Sequence, residues 1–300
     1  MGSEAADERR FLYLAGYPID SSVSPATHTF IANIIGEPWT CELLEVYTIQ
    51  EVVEMFRRPT FAGGVVTMPY KKAIIPFLDS IDDIVIKLGA CNNVRVSKED
   101  GKLHGTNTDW VGIRESLLVG SDAGRGRQAM VFGAGGASRA ALYALYAELH
   151  CDTIYIVNRD EDEVAQLLHD TQAYEENKRP NLVHVRSAEE ARSLPTPFYI
   201  VSTVPDFEAV TSGEVAARGV LTEFLSRKTK GVLLDMCYHP RRTRILKLAE
   251  QAGWTTIEGI EATGFQLELQ WNLWSPDKKV PMDKAWKKLR EVTDNMAALN

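Results

Sequence analysis

Ala129-Met-Val-Phe-Gly133-Ala134-Gly135-Gly136-Ala137-Ser138-Arg139-Ala140 decides how this chain is read. The apolar run 129–132 enters a glycine-rich turn, and residues 137–149 continue with Ala and Leu at helical spacing. Strand, tight turn and helix in that order form the first unit of a dinucleotide-binding fold. Gly133 permits the sharp turn, and Gly135 lets the backbone come close to a pyrophosphate. The amides that open the helix then offer it a partial positive charge. Ser138 stands where the fingerprint has its third glycine. The motif speaks for a nucleotide and says nothing of the chemistry.

Downstream, alternation continues: strands at 153–157, 182–185, 199–202 and 232–236, with helices at 162–169, 188–194 and 244–252. A terminal helix spans about 263–274. Upstream, a disordered lead (1–10) precedes a strand at 11–16, a helix from Pro25 closed by Gly36, and a strand at 41–46. A helix at 49–57, a β-branched strand at 63–67 and helices at 71–78 and 81–88 follow. A hairpin over 92–105 turns within 98–101. The connecting helix 110–118 and the Gly/Arg/Ser stretch 120–127 separate the halves. The expected fold class is α/β, with an N-terminal α/β substrate domain beside a Rossmann-type, doubly wound dinucleotide-binding domain. Expected boundaries are 1–109 for the substrate domain, completed by C-terminal helices in 259–300, and 110–258 for the nucleotide domain.

Three hundred residues suffice for two cores. The net charge of -8, with no basic stripe, disfavours nucleic acid as a partner. Cys41, Cys91, Cys151 and Cys237 are widely spaced, with no CxxC pair, and read as small buried hydrophobes in a reducing compartment. No metal-ligand cluster is evident. The acidic, polar start is no signal peptide, Ala6 spoils a myristoylation signal at Gly2, and no apolar run is long enough to span a bilayer. The expectation is a cytoplasmic protein without a membrane partner, a monomer or homodimer acting on a small molecule.

Lys71 follows the 63–67 strand at a strand-to-helix turn, and Asp109 ends the segment before the connecting helix. A Lys/Asp pair at a cofactor cleft can take a proton from an alcohol as hydride leaves. Taken singly, Lys71 reads as a surface lysine and Asp109 as a helix cap.

Several ordered motifs between about residues 12 and 274 resemble the shikimate and quinate dehydrogenases. Ser22-Val-Ser24-Pro-Ala-Thr-His28 resembles that family's Ser-x-Ser-Pro-x-x-His, whose serines hold a substrate carboxylate. Thr67-Met-Pro-Tyr-Lys71 resembles Thr-x-Pro-x-Lys, with Lys71 in the catalytic lysine's place. Gly89-Ala-Cys-Asn92-Asn93 is similar to Gly-Ala-Val-Asn-Thr, which makes Asn92 a ligand of a ring hydroxyl. Asn107-Thr-Asp109 matches Asn-Thr-Asp, whose aspartate partners the lysine. Tyr238-His-Pro240 is similar to Tyr-x-Pro, and Gln266 falls where the family's glutamine reaches the substrate. The resemblance implies reversible, NAD(P)-dependent interconversion of shikimate and 3-dehydroshikimate, or quinate and 3-dehydroquinate. Lys71 and Asp109 would be catalytic, and Ser22, Ser24, Thr67, Asn92, Tyr238 and Gln266 would bind substrate. Gly133, Ala134, Gly135, Gly136, Ala137, Asn158, Arg159, Asp160, Thr203 and Gly259 would bind the cofactor.

The departures bear on substrate and cofactor. The family's Asn-Val-Thr is here Val65-Val66-Thr67, and its Gly-Leu-Gly-Met is Gly259-Ile260-Glu261-Ala262. If the missing asparagine serves a hydroxyl, its loss costs about 1–3 kcal/mol; otherwise Val65 simply packs. After Asn158 and Arg159 come four acids, Asp160–Glu163, where NADP users of the family carry a further base. Asp160 could accept from a ribose hydroxyl, or the run could answer a helix dipole. Against a phosphate, like charges near 4 Å cost up to ~4 kcal/mol at an effective dielectric of 20. NAD is therefore expected over NADP. The NAD-like clamp tilts toward quinate, the paired serines toward shikimate. An altered, amino-shikimate-like substrate and a non-catalytic ligand sensor are the alternatives.

Overall fold

The computed structural model describes residues 9–20, 22–171 and 179–298. The lead 1–8, with the Gly2 position, lies outside them. The chain divides into two units: residues 1–86, 90–108 and 266–300, and residues 87–89 with 109–265.

The first unit begins with β1 (Arg10–Gly16), α1 (Ser24–Ile35), β2 (Trp39–Glu45), α2 (Ile49–Phe56) and β3 (Phe61–Val66). Pro at the first turn and a left-handed Gly36 (φ 75°) bound α1. The helix expected over 71–78 is instead a single turn, α3 (Tyr70–Ala73), followed by a 3-10 turn at Ile75–Phe77. Pro76 removes an amide donor and crowds the preceding turn, so an α-helix cannot run through. Then come β4 (Ser80–Ile81), α4 (Asp83–Leu88), β5 (Asn93–Val96) and β6 (Leu103–Thr106). Strand order is β2-β1-β3-β5-β6-β4. The sheet is mixed, because β5 runs antiparallel to both β3 and β6 in the expected hairpin. Val66, Tyr70, Ile74, Cys91 and Val94 pack with Phe56 and Phe61 in its core.

The second unit runs through α5 (Asp109–Gly120), β7 (Ala129–Phe132), α6 (Gly136–Tyr143), β8 (Thr153–Val157), α7 (Glu161–Asp170), β9 (Asn181–His184), α8 (Ala188–Arg192), β10 (Tyr199–Ser202), α9 (Ser212–Leu225), β11 (Val232–Asp235), α10 (Arg244–Gln251) and β12 (Thr255–Ile257). Its sheet is wholly parallel, in the order β12-β11-β10-β7-β8-β9. Read from the other edge this is 3-2-1-4-5-6, the doubly wound Rossmann order, with its switch point between β7 and β10. The strands are buried on both faces, as their continuous apolar runs require. α11 (Gly259–Trp274) starts a turn earlier than its sequence pattern suggests, and α12 (Met282–Ala298) ends the described chain.

Candidate active site

A nucleotide-type cluster is built at the switch point of the second unit's sheet. Gly133 sits at φ 126°, and a Cβ there would lie 2.3 Å from Thr203 Oγ1. Both backbone and space therefore demand glycine. Thr203 closes the gap between β7 and β10: its amide donates to Phe132 O at 2.9 Å. Its hydroxyl bonds to Phe132 O and, at 2.8 Å, to Ser138 Oγ. That bond accounts for the serine in place of the third glycine, since Ser138 is wholly buried and tied to Thr203. A Cβ on Gly135 would meet nothing within 4 Å, and no side chain caps α6. Gly135 thus leaves an open cradle in front of the uncapped amides of Gly136 and Ala137, which suits a pyrophosphate. Arg139 braces the loop from beneath, donating to the carbonyls of Ala134 and Gly135 at 3.3 Å while pairing with Asp170.

At the end of β8 the acidic run is largely occupied. Asp160 is the N-cap of α7, its Oδ1 accepting from the amides of Asp162 and Glu163 at 2.9 and 3.0 Å. Asn158 Nδ2 donates to Glu163 Oε2, and Arg186 Nε to Glu161 Oε1. Arg159 is exposed and pairs with Glu214 of α9. Asp160 Oδ1 is thus committed to the helix, and no amide of the cap bonds to Oδ2.

The loop after β11 carries Tyr238, which is half-buried. Asp235 anchors that loop: Oδ2 accepts from Thr243 Oγ1 at 2.6 Å and Oδ1 from the Cys237 amide at 3.2 Å. Burial pushes its carboxyl up to about 6 despite these donors. Gly259 cannot bear a Cβ, which would lie 2.6–2.7 Å from the carbonyls of Met236 and Asp235. Close packing alone requires that glycine. Asp109, the first residue of α5, is buried in this same unit.

A separate, polar cluster lies in the first unit. Asn92 Oδ1 accepts from the Thr108 amide at 2.7 Å, and Asn92 Nδ2 donates to Gln266 Oε1 at 3.0 Å. Thr108 Oγ1 donates to Gln266 Oε1 at 2.7 Å, and Gln270 Nε2 donates to Thr108 Oγ1 at 3.2 Å. All four side chains are buried and hydrogen-bonded to one another. Lys71, half-buried, is fixed through its backbone: its carbonyl accepts from the Cys91 amide at 2.7 Å. Thr67 is held by its amide on Ala15 O, and the Ser24 amide donates to Ser22 Oγ at 3.2 Å. Ser22, Ser24, Thr67, Lys71, Asn92 and Gln266 therefore belong to one unit, whereas Asp109, Tyr238 and the nucleotide-type residues belong to the other.

Behind Gln266, α11 is pinned by aromatic packing. Trp271 Nε1 donates to Nδ1 of His28 at 3.1 Å and stacks on Trp39 at 5.9 Å. Burial lowers the His28 pKa to about 3, so the ring is neutral.

Residues to which the motifs assign no role include Arg139, Asp170, Thr243 and Glu214. For Glu214 a local signal exists: Thr211-x-x-Glu214 is a complete capping box opening α9, a helix absent from the sequence expectations. Among the described residues no group of metal-ligating side chains is assembled, and no helix is long and apolar enough to cross a membrane. All four cysteines are free.

Residues 14–94 match the family model for the shikimate dehydrogenase substrate binding domain. A quinate dehydrogenase of Emericella nidulans is 39% identical over 285 residues, 88% of this chain and 87% of that protein. A shikimate 5-dehydrogenase from Thermus thermophilus, solved with NADP(H) and shikimate, shares 25% identity over 94% of this chain and 99% of that one, with TM-score 0.74. Quinate dehydrogenase from Corynebacterium glutamicum, solved with NAD, shares the fold at 20% identity and TM-score 0.76, over 95% of this chain and 100% of that one.

Proposed function

The chain belongs to the shikimate/quinate dehydrogenase family, and we propose that it oxidises a ring alcohol of a quinate- or shikimate-type carboxylate reversibly, with NAD favoured over NADP. The observation that carries this reading is the buried Asn92–Thr108–Gln266 network beside the anchored Lys71 backbone. These groups can exchange their mutual hydrogen bonds for the hydroxyls of a polyol ring without leaving a buried polar atom unpaired. An apolar substrate would strand them.

A bound nicotinamide nucleotide would supply the hydride acceptor for the carbinol carbon. Gly133, Ala134, Gly135, Gly136, Ala137 and Thr203 suit its pyrophosphate, and Asn158, Arg159 and Asp160 its adenosine ribose. Ser22, Ser24, Thr67 and Tyr238 would hold the carboxylate end of the substrate. Asn92 and Gln266 would orient the ring, and Lys71, with Asp109, would take the hydroxyl proton. The free cysteines suit a reducing, cytoplasmic setting.

Initial rates with quinate and shikimate, each with NAD and NADP, test the assignment. Oxidation of at least one acid, with a lower KM for NAD, is expected. Tight binding of either acid without any nucleotide reduction would identify a sensor instead.

Val65 is half-buried on β3, in register with Asn93 of β5. Val65→Asn restores the polar group common in the family, and the quinate-to-shikimate ratio of kcat/KM should move by about tenfold, one good hydrogen bond's worth. A ratio constant within about twofold would make Val65 a packing residue.

A further inference from the structure

We infer that Glu214, rather than the acidic run after Arg159, is the residue that sets the cofactor preference, by holding Arg159 away from a ribose 2'-phosphate. The inference rests on the NAD reading above and names the residue responsible for it.

Arg159 is the base that a 2'-phosphate at the end of β8 would need. Its Nη1 is already bonded at 2.5 Å to Glu214 Oε1. The Glu214 carboxylate is not a mobile surface group. Its Oε2 accepts from the amides of Val210 and Thr211 at 3.1 and 3.0 Å, and its own amide donates to Thr211 Oγ1. These donors, together with Arg159, pull its pKa down to about 2, so it is ionised at every working pH. The backbones are also locked together: a Cβ on Gly213 would lie 2.6 Å from Arg159 O, so only glycine lets α9 start this close.

Three of the four acids in the run, by contrast, are turned to local duties. Asp160 caps α7, Glu163 accepts from Asn158, and Glu161 pairs with Arg186. A dianionic phosphate drawn to Arg159 would find part of its charge already neutralised by Glu214 and would have to sit near that carboxylate, which the two amides keep in place. Ribose hydroxyls meet no such conflict, because they can donate to carboxylate oxygens.

Binding of NAD, NADP, AMP and adenosine 2',5'-bisphosphate is measured by calorimetry on wild type, Glu214→Gln and Glu214→Asp. Glutamine keeps an acceptor for the Val210 and Thr211 amides and removes the charge. Aspartate keeps the charge but withdraws it from Arg159. In Glu214→Gln the Kd of both 2'-phosphorylated ligands should fall by about tenfold or more, while NAD and AMP move by less than about threefold. Glu214→Asp should give a smaller gain of the same sign, and it keeps the test decisive if the glutamine variant is unstable. Adding Arg159→Ala should abolish the gain. Unchanged affinities for 2'-phosphorylated ligands in a protein that prefers NAD would overturn the role of Glu214 and leave the NAD reading standing. A wild type that binds NADP more tightly than NAD would overturn both.

Discussion

Lys71→Ala should lower kcat by about 10²–10⁴-fold, the range that positioned proton transfer supplies, while the Kd for nucleotide stays within about twofold. The expectation depends on how the lysine is mounted. α3 is one turn long, yet its backbone is fixed from several sides. The Tyr70 hydroxyl donates to Val46 O at 2.7 Å, the Tyr70 amide to Thr67 O, and the Cys91 amide to Lys71 O. Truncating the side chain therefore removes the amine without releasing the turn that presents it. Lys71→Arg separates charge from proton transfer: a guanidinium keeps the positive charge but cannot give up its proton at working pH. Both variants should be nearly inactive. An arginine variant within tenfold of wild type would reduce Lys71 to an electrostatic anchor, and an alanine variant within tenfold would remove it from the chemistry.

The second large effect is on stability in acid. His28 is buried, accepts a hydrogen bond from Trp271, and meets the edge of Trp274 at 5.1 Å. Its pKa, about 3 in the folded protein, lies below the unfolded value of 6.5. Between those values the unfolded chain binds a proton that the native one refuses, so stability falls as pH falls. The slope is about 1.4 kcal/mol per pH unit, and the term is fully present only above pH 6.5. His28→Asn keeps an acceptor for Trp271 and cannot titrate. From pH 7 to pH 5, wild type should lose roughly 2 kcal/mol more than the variant in urea unfolding followed by tryptophan fluorescence. Parallel losses would mean that His28 is not held neutral. The consequence for function runs along α11, because Gln266 and Gln270 lie on the turns just before Trp271. A helix that loses its His28 anchor loses the residues that complete the amide network.

Much of this architecture is legible because it is local. The 129–140 stretch fixes β7, its turn and α6 through spacing and glycine stereochemistry, and the alternation that follows it gives the parallel sheet. Gly36 and Pro25 mark the ends of α1, and the 98–101 turn marks the hairpin. Sequence separation sets the limit. Ser138 reads as a defect in the glycine motif until Thr203, 65 residues on, supplies its hydrogen bond. Arg139 gains its meaning from Asp170, 31 residues away, and Asn92 from Gln266, 174 residues away. Asp160 illustrates competition between roles. A carboxylate at the end of β8 suits a ribose, yet the same position is the N-cap of α7, and two amides claim its oxygen. Arg159 reads only as a cofactor-binding residue until α9 brings Glu214 to it.

Quinate and shikimate carrying deuterium on the carbinol carbon give the most direct test of the central claim, that this protein moves hydride from a ring alcohol to a nicotinamide while Lys71 takes the proton. With wild type and NAD, deuterium should appear in the reduced nucleotide in step with ketone formation, and Lys71→Ala should slow both equally. Both acids binding with no label in either nucleotide would contradict it.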